Sequence, residues 1–173
     1  ITGCEEKDGY AEHDFTNGDC AVCGKKPELK YTLNDDGKSY TVTGITRYVA
    51  DIVIAAEYNG KPVTGIGDYA FENCSSLESV YIPDSVTSIG DYAFVYCSSL
   101  ESVTIGNGVT TIGDYAFPGC SALKSITIPD SVTSIGSLAF FYCSNLESVT
   151  IGNGVTSIGS EAFNGCSALT SIT

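Results

Sequence analysis

One period governs most of this chain. Cys74, Cys97, Cys120, Cys143 and Cys166 stand 23 residues apart, and the same step links Ile66, Ile89, Ile112, Ile135 and Ile158. Phe71, Phe94, Phe117, Phe140 and Phe163 keep it, as do Leu77, Leu100, Leu123, Leu146 and Leu169. A unit this short cannot bury its apolar side alone. Copies must therefore stack, each covering the next, into a solenoid with one continuous core.

Within a unit, Val80 and Ile82 alternate with Ser79 and Tyr81. This is the period of a half-buried strand, expected over about residues 78 to 82, with parallel copies side by side. Asp68, Asp91, Asp114, Ser137 and Ser160 each precede a small apolar group such as Tyr69-Ala70-Phe71. All are helix N-cap types, so the pattern predicts one short helical turn after each Ile-Gly, on the side opposite the strand. Between strand and next unit, Pro83-Asp84-Ser85 and Pro129-Asp130-Ser131 alternate with Gly106-Asn107-Gly108 and Gly152-Asn153-Gly154. These are turn residues repeating every second unit.

The unit I-G-x-x-A-F-x-x-C-x-x-L-x-S-V/I-x-I-x-x-x-V resembles the BspA-like leucine-rich repeats of bacterial surface proteins, in five copies over residues 63 to 173. The expected fold is an arc-shaped leucine-rich-repeat solenoid of the α/β repeat type. The resemblance implies display on a cell surface and adhesion to host or neighbouring cells. Residues 31 to 62 read as a lead-in: Tyr31 to Leu33 and Ser39 to Val42 flank a Gly-bearing turn as a hairpin. Asp51 to Ile54 resembles a degenerate repeat strand, and Tyr58 to Pro62 an enlarged loop, together capping the core. Thr173 closes the fifth strand without a polar capping unit, and Ile1 is not an initiator. Both ends are therefore expected to belong to a longer precursor or, at Thr173, to pack on a partner.

Residues 1 to 30 differ in composition and carry Cys4, His13, Cys20 and Cys23 as C-x8-H-x6-C-x2-C. Three thiolates and an imidazole suit a tetrahedral structural zinc site, and the stretch His13 to Gly24 resembles a short zinc-ribbon-like knuckle. The same residues also suit a Cys20–Cys23 disulfide or free thiols on a frayed terminus. A filled zinc site would leave no position for a catalytic water. The five repeat cysteines lie between buried Phe and Leu columns and are expected to be reduced, inward-facing small hydrophobes.

The chain carries 21 acidic residues against 8 basic ones, a formal charge of −13. Residues 65 to 173 hold ten acids and one base, Lys124. That field repels phosphate backbones and anionic headgroups, which argues against nucleic acid and against electrostatic membrane docking. No apolar run is long enough to insert into a bilayer. His13 is the only histidine, so the repeats have no Ser-His or Cys-His pair for nucleophilic catalysis. The expected function is a non-enzymatic extracellular binding module with an unidentified protein or glycan partner on a host or neighbouring cell. A passive spacer within a larger surface protein is the alternative. Two outward columns compete as binding surface. One is the strand face of Ser79, Tyr81, Ser102, Thr104, Ser125, Thr127, Ser148 and Thr150, continued by Ser171 and Thr173. The other is the aromatic column of Val95-Tyr96 and Phe141-Tyr142, which stands where other units have Asn73, Gly119 and Gly165. The strand face is preferred, because the inner side of an arc is concave.

Overall fold

The computed structural model describes residues 29–45 and 49–173. β1 (Leu29–Leu33) and β2 (Tyr40–Ile45) form the expected antiparallel hairpin. Asp36 braces its turn by accepting the Lys38 amide at 2.7 Å. β2 is also the first strand of the stack, pairing in parallel with β5 (Lys61–Ile66), while β3 (Asp51–Val53) pairs in parallel with β6 (Ser79–Ile82). The degenerate unit is thus a coil in its own right, the first of six. β4 (Glu57–Tyr58) folds back antiparallel on β5. Tyr58 stacks on Tyr31 with centroids 4.0 Å apart and meets Tyr40 edge-on at 5.1 Å, closing this end with aromatic surface.

The five regular coils each contribute two strands where the sequence pattern gave one. The first spans residues 63–85 with β5 and β6. The second, 86–108, has β7 (Ser88–Ile89) and β8 (Ser102–Ile105), and the third, 109–131, has β9 (Thr111–Ile112) and β10 (Ser125–Ile128). The fourth, 132–154, has β11 (Ser134–Ile135) and β12 (Ser148–Ile151), and the fifth, from 155, has β13 (Ser157–Ile158) and β14 (Ser171–Ile172). The short strands continue the hairpin sheet without interruption in the order β1-β2-β5-β7-β9-β11-β13. Beside them the hydroxyls of Thr87, Thr110, Thr133 and Thr156 each donate to the equivalent carbonyl one coil back, at 2.9 to 3.1 Å. A two-residue strand is too short to show an alternation, which is why the pattern missed it.

The expected helical turns do not form; among the described residues there is no helix. In their place runs a chain of tight turns in which Tyr69, Phe71 and Asn73 amides donate forward to Asp91, Ala93 and Val95 carbonyls of the next coil. Amides so engaged cannot wind back four residues within their own segment. Tyr69, Tyr92, Tyr115, Leu138 and Glu161 accordingly take left-handed backbone, with φ between 52° and 58°. The cap-type carboxylates also serve the stack: Asp68, Asp91 and Asp114 accept the amides of Asp91, Asp114 and Ser137 at 2.9, 2.8 and 2.6 Å. A residue rich in local hydrogen-bonding capacity suits either role, and here stacking takes it.

The core is a set of columns. Phe71, Phe94, Phe117 and Phe140 are fully buried, and with Phe163 they stack at successive centroid distances of 4.8, 4.8, 5.3 and 5.3 Å. Beside them Cys74, Cys97, Cys120 and Cys143 are buried and Cys166 half-buried, all as free thiols, as expected. The thiols of Cys97, Cys120, Cys143 and Cys166 reach the carbonyls of Phe71, Phe94, Phe117 and Phe140 at 3.1 to 3.3 Å. Cysteine therefore gives each coil a small apolar volume and a weak donor at once. At the fifth coil burial falls off, and Ile158 and Ile172 are 49% and 53% exposed.

Candidate binding surface

Alternation within the long strands sets the candidate surface. Val80, Ile82, Ile126, Ile128 and Val149 point inward, while Tyr81, Ser102, Thr104, Ser125, Thr127 and Thr150 are exposed and Ser79 and Ser148 half-exposed. Parallel register places Ser79 beside Ser102 and Tyr81 beside Thr104, then Ser125 beside Ser148 and Thr127 beside Thr150. The strand face brings these predicted side chains together as two rows. Ser79 also donates to Asp51 of the capping coil.

The rows are not continuous. The long strands split into two sheets, β3-β6-β8 and β10-β12-β14, with no ladder between β8 and β10. The Glu101 amide bonds the Glu78 carbonyl at 2.8 Å and the Glu147 amide the Lys124 carbonyl at 2.8 Å, but Lys124 makes no such bond to Glu101. Val103 and Ile105 are each 8% exposed where their counterparts Val80, Ile82, Ile126 and Ile128 are 0 to 3%. A cleft of about 620 Å³ lies on this face, running across β8, β10 and β12 and the turns that follow them.

The turn alternation explains the split. The Asn107 amide donates to the Asp84 carboxylate at 2.7 Å, and Asn153 to Asp130 at 2.7 Å, clamping each Gly-Asn-Gly turn onto the Pro-Asp-Ser turn before it. The clamp needs close approach: a Cβ at Gly108 or Gly154 would overlap the carbonyl of Asp84 or Asp130. At the next junction Pro129 and Ser131 bring side chains where glycines stood, which holds the coils apart. Pro129 also has no amide, whereas the equivalent Gly152 amide donates to Ile128 at 2.8 Å. The third coil therefore forms no ladder with the second on this side, although β8 and β10 remain neighbours.

The aromatic column has a packing role. The rings of Tyr96 and Tyr142 lie over Gly119 and Gly165 of the following coil, whose φ values of 70° and 81° favour glycine. Tyr96 and Tyr142 are nevertheless 62% and 59% exposed, while Val95 is buried and Phe141 half-buried. A second ladder, missed in the sequence, stacks Tyr69, Tyr92 and Tyr115 with centroids 4.9 and 4.7 Å apart. Partial burial, the neighbouring Tyr115 and Tyr69, and Asp91 and Asp114 push the Tyr92 hydroxyl above its ordinary value. The 23-residue recurrence of Tyr was the available signal.

Among the described residues there is no histidine, and no three metal-ligating side chains are gathered. Cys4, His13, Cys20 and Cys23 lie outside the described residues. Three of the repeat thiols are poor nucleophiles: contact with the Cys74 thiol, with burial, pushes Cys97 up, and Cys143 and Cys166 are raised chiefly by Cys120 and Cys143 respectively, whereas contact with Cys97 lowers Cys74. Among the described residues no helix is long and apolar enough to cross a membrane.

No curated protein matches this chain. Among solved structures, a leucine-rich repeat protein of T. pallidum is 33% identical with a TM-score of 0.82, over 83% of this chain and 67% of its own. A leucine-rich cell surface protein of Faecalibacterium prausnitzii is 33% identical with a TM-score of 0.75, over 90% of this chain and 39% of that one. A leucine-rich repeat protein of Bacteroides ovatus is 34% identical with a TM-score of 0.76, over 84% and 39%. This chain thus spans well under half the length of the last two. The BspA type leucine-rich repeat region matches residues 64–173 in six copies, and the chain belongs to that family.

Proposed function

We propose that this chain is an extracellular binding module of a bacterial surface or secreted protein, which presents its strand face to a protein or glycan on a host or neighbouring cell. The observation that carries the reading is the fixed pair of hydroxyl rows on that face, crossed by a cleft. The repeat thiols from Cys97 onward and the carboxylates of Asp68, Asp84, Asp91, Asp114 and Asp130 are occupied in coil-to-coil contacts, which supports a non-enzymatic role. The passive spacer draws support from the same near-identical coils, since nothing in a spacer requires them to differ. In this reading the segment before β1 forms a knuckle in which Cys4, His13, Cys20 and Cys23 hold one structural zinc, tying together a segment with few apolar residues; Leu29 and Lys30 belong to the hairpin instead.

The test is binding of the chain to purified surface proteins and glycans, compared between two double variants. Tyr81→Arg with Thr127→Arg should abolish binding, while Tyr96→Ala with Tyr142→Ala should retain it. Loss only in the second variant would move the site to the aromatic column. No partner for any of these proteins, with the folded chain confirmed, would favour the spacer.

A further inference from the structure

We propose that the cleft running across β8, β10 and β12 is a binding site for a neutral oligosaccharide. The inference rests on the strand face being the binding surface and adds where on it the ligand sits and what chemistry it has. Three independent observations converge on this junction. The first is the shape. The cleft's volume of about 620 Å³ lies within the roughly 300–1,000 Å³ usual for small-ligand sites. It lies over the junction at which Pro129 and Ser131 stand in place of the glycines that let the neighbouring turns approach closely.

The second observation is the supply of hydrogen-bonding groups. Ser102, Thr104, Ser125 and Thr127 have exposed side chains, with hydroxyls that have no protein partner among the described residues. The threonines beside the short strands, by contrast, are all engaged. The Lys124 and Ser125 amides and the Glu101 carbonyl, paired in the equivalent positions of other coils, are free at the cleft. Mixed donors and acceptors at close spacing match vicinal sugar hydroxyls, which both donate and accept. A β-strand peptide fits less well. It would need an open strand edge to pair with and pockets for alternate side chains, whereas the side chains exposed along the cleft are short and polar.

The third observation is the setting. Tyr81, 45% exposed, stands directly beside Thr104 in the adjoining coil. It lies one coil outside the cleft's lining, where it offers an aromatic face to the C–H side of a sugar ring that extends from the cleft past Thr104. Glu101 and Asp130 line the cleft, and the repeats carry ten acids against one base. Sulfated, sialylated or uronic-acid chains would be repelled, which selects neutral sugars.

The experiment uses the full chain on a panel of immobilised neutral oligosaccharides, printed beside sulfated and sialylated ones, with the best neutral binder then titrated by calorimetry. Binding should be confined to neutral sugars. Tyr81→Ala and Thr127→Val should each weaken it by about tenfold, the loss expected for one aromatic contact or one ligand hydrogen bond. Pro129→Gly with Ser131→Gly, which restores the closing turn, should abolish binding with the coils still folded by circular dichroism. Capture of no neutral sugar, preference for the charged ones, or full affinity in all three folded variants would overturn the proposal. A protein ligand held by the strand face without sugar binding would refute this inference alone. Sugar binding lost only in Tyr96→Ala with Tyr142→Ala would refute the strand-face reading as well.

Discussion

Replacing Phe117 with Ala should uncouple the two ends of the solenoid. The ring is wholly buried and sits between Phe94 at 4.8 Å and Phe140 at 5.3 Å, so its removal strips one face from each neighbour. Truncating a buried Phe costs about 3–5 kcal/mol, and a column stacked this regularly has little freedom to collapse into the void. Phe163 is the control: it is half-buried and has one stacking neighbour, Phe140 at 5.3 Å. Its truncation should cost no more than about half as much, because part of its surface is already in water. Stability of a repeat array is close to a sum of coil and interface contributions, so weakening a middle interface has a second effect. Unfolding of Phe117→Ala in urea, followed by circular dichroism, should show two transitions where the parent shows one. A single transition with a loss under about 1 kcal/mol, or equal losses at Phe117 and Phe163, would refute the column as the main coil-to-coil contact.

Hydrogen exchange offers a direct view of the split sheet. The Lys124 amide should exchange at least roughly tenfold faster than those of Glu101 and Glu147, which each hold a carbonyl one coil back; equal protection would mean that β8 and β10 are paired in solution. Thiol chemistry should follow burial. Cys97 and Cys143 are fully buried and held above the ordinary thiol value of 9.0, so the unfolded chain loses their protons first. The Cys143 contribution to stability should be flat below about pH 9 and then fall by about 1.4 kcal/mol per pH unit, with a smaller fall from Cys97, because the contact that raises it lowers its partner Cys74. Prompt labelling of the native protein at neutral pH would contradict their placement. For the amino-terminal segment, elemental analysis should find one zinc per chain, removed by Cys23→Ser without unfolding the repeats. Protein with intact thiols and no metal would end the zinc proposal.

The legible part of this fold was whatever recurs. The columns of Phe71, Cys74 and Leu77, the long strand and the outward rows all follow from period 23 combined with alternation, because stacking forces equivalent residues into equivalent environments. The error at Asp68 came from reading a local propensity where a neighbour decides the outcome: its carboxylate caps the next coil's amide instead of a helix. The short strands escaped because two residues have no period. The break between β8 and β10 was visible only as its cause, the alternation of Pro-Asp-Ser with Gly-Asn-Gly. Its consequence depends on the distance between backbones one coil apart, which no single unit contains.

The alternating clamps also decide how such a chain can change length. Asp84 with Asn107 joins the first regular coil to the second, Tyr96 over Gly119 the second to the third, Asp130 with Asn153 the third to the fourth, and Tyr142 over Gly165 the fourth to the fifth. Excising the third coil would bring Tyr142 to the place of Gly119, where even a Cβ would come within 2.7 Å of the Tyr96 ring. It would also set one Gly-Asn-Gly turn on another, with no carboxylate to receive the asparagine amide. Excising two adjacent coils disturbs neither arrangement. The heritable unit of this solenoid is therefore a pair of coils, and variants of its gene should gain or lose repeats in even numbers.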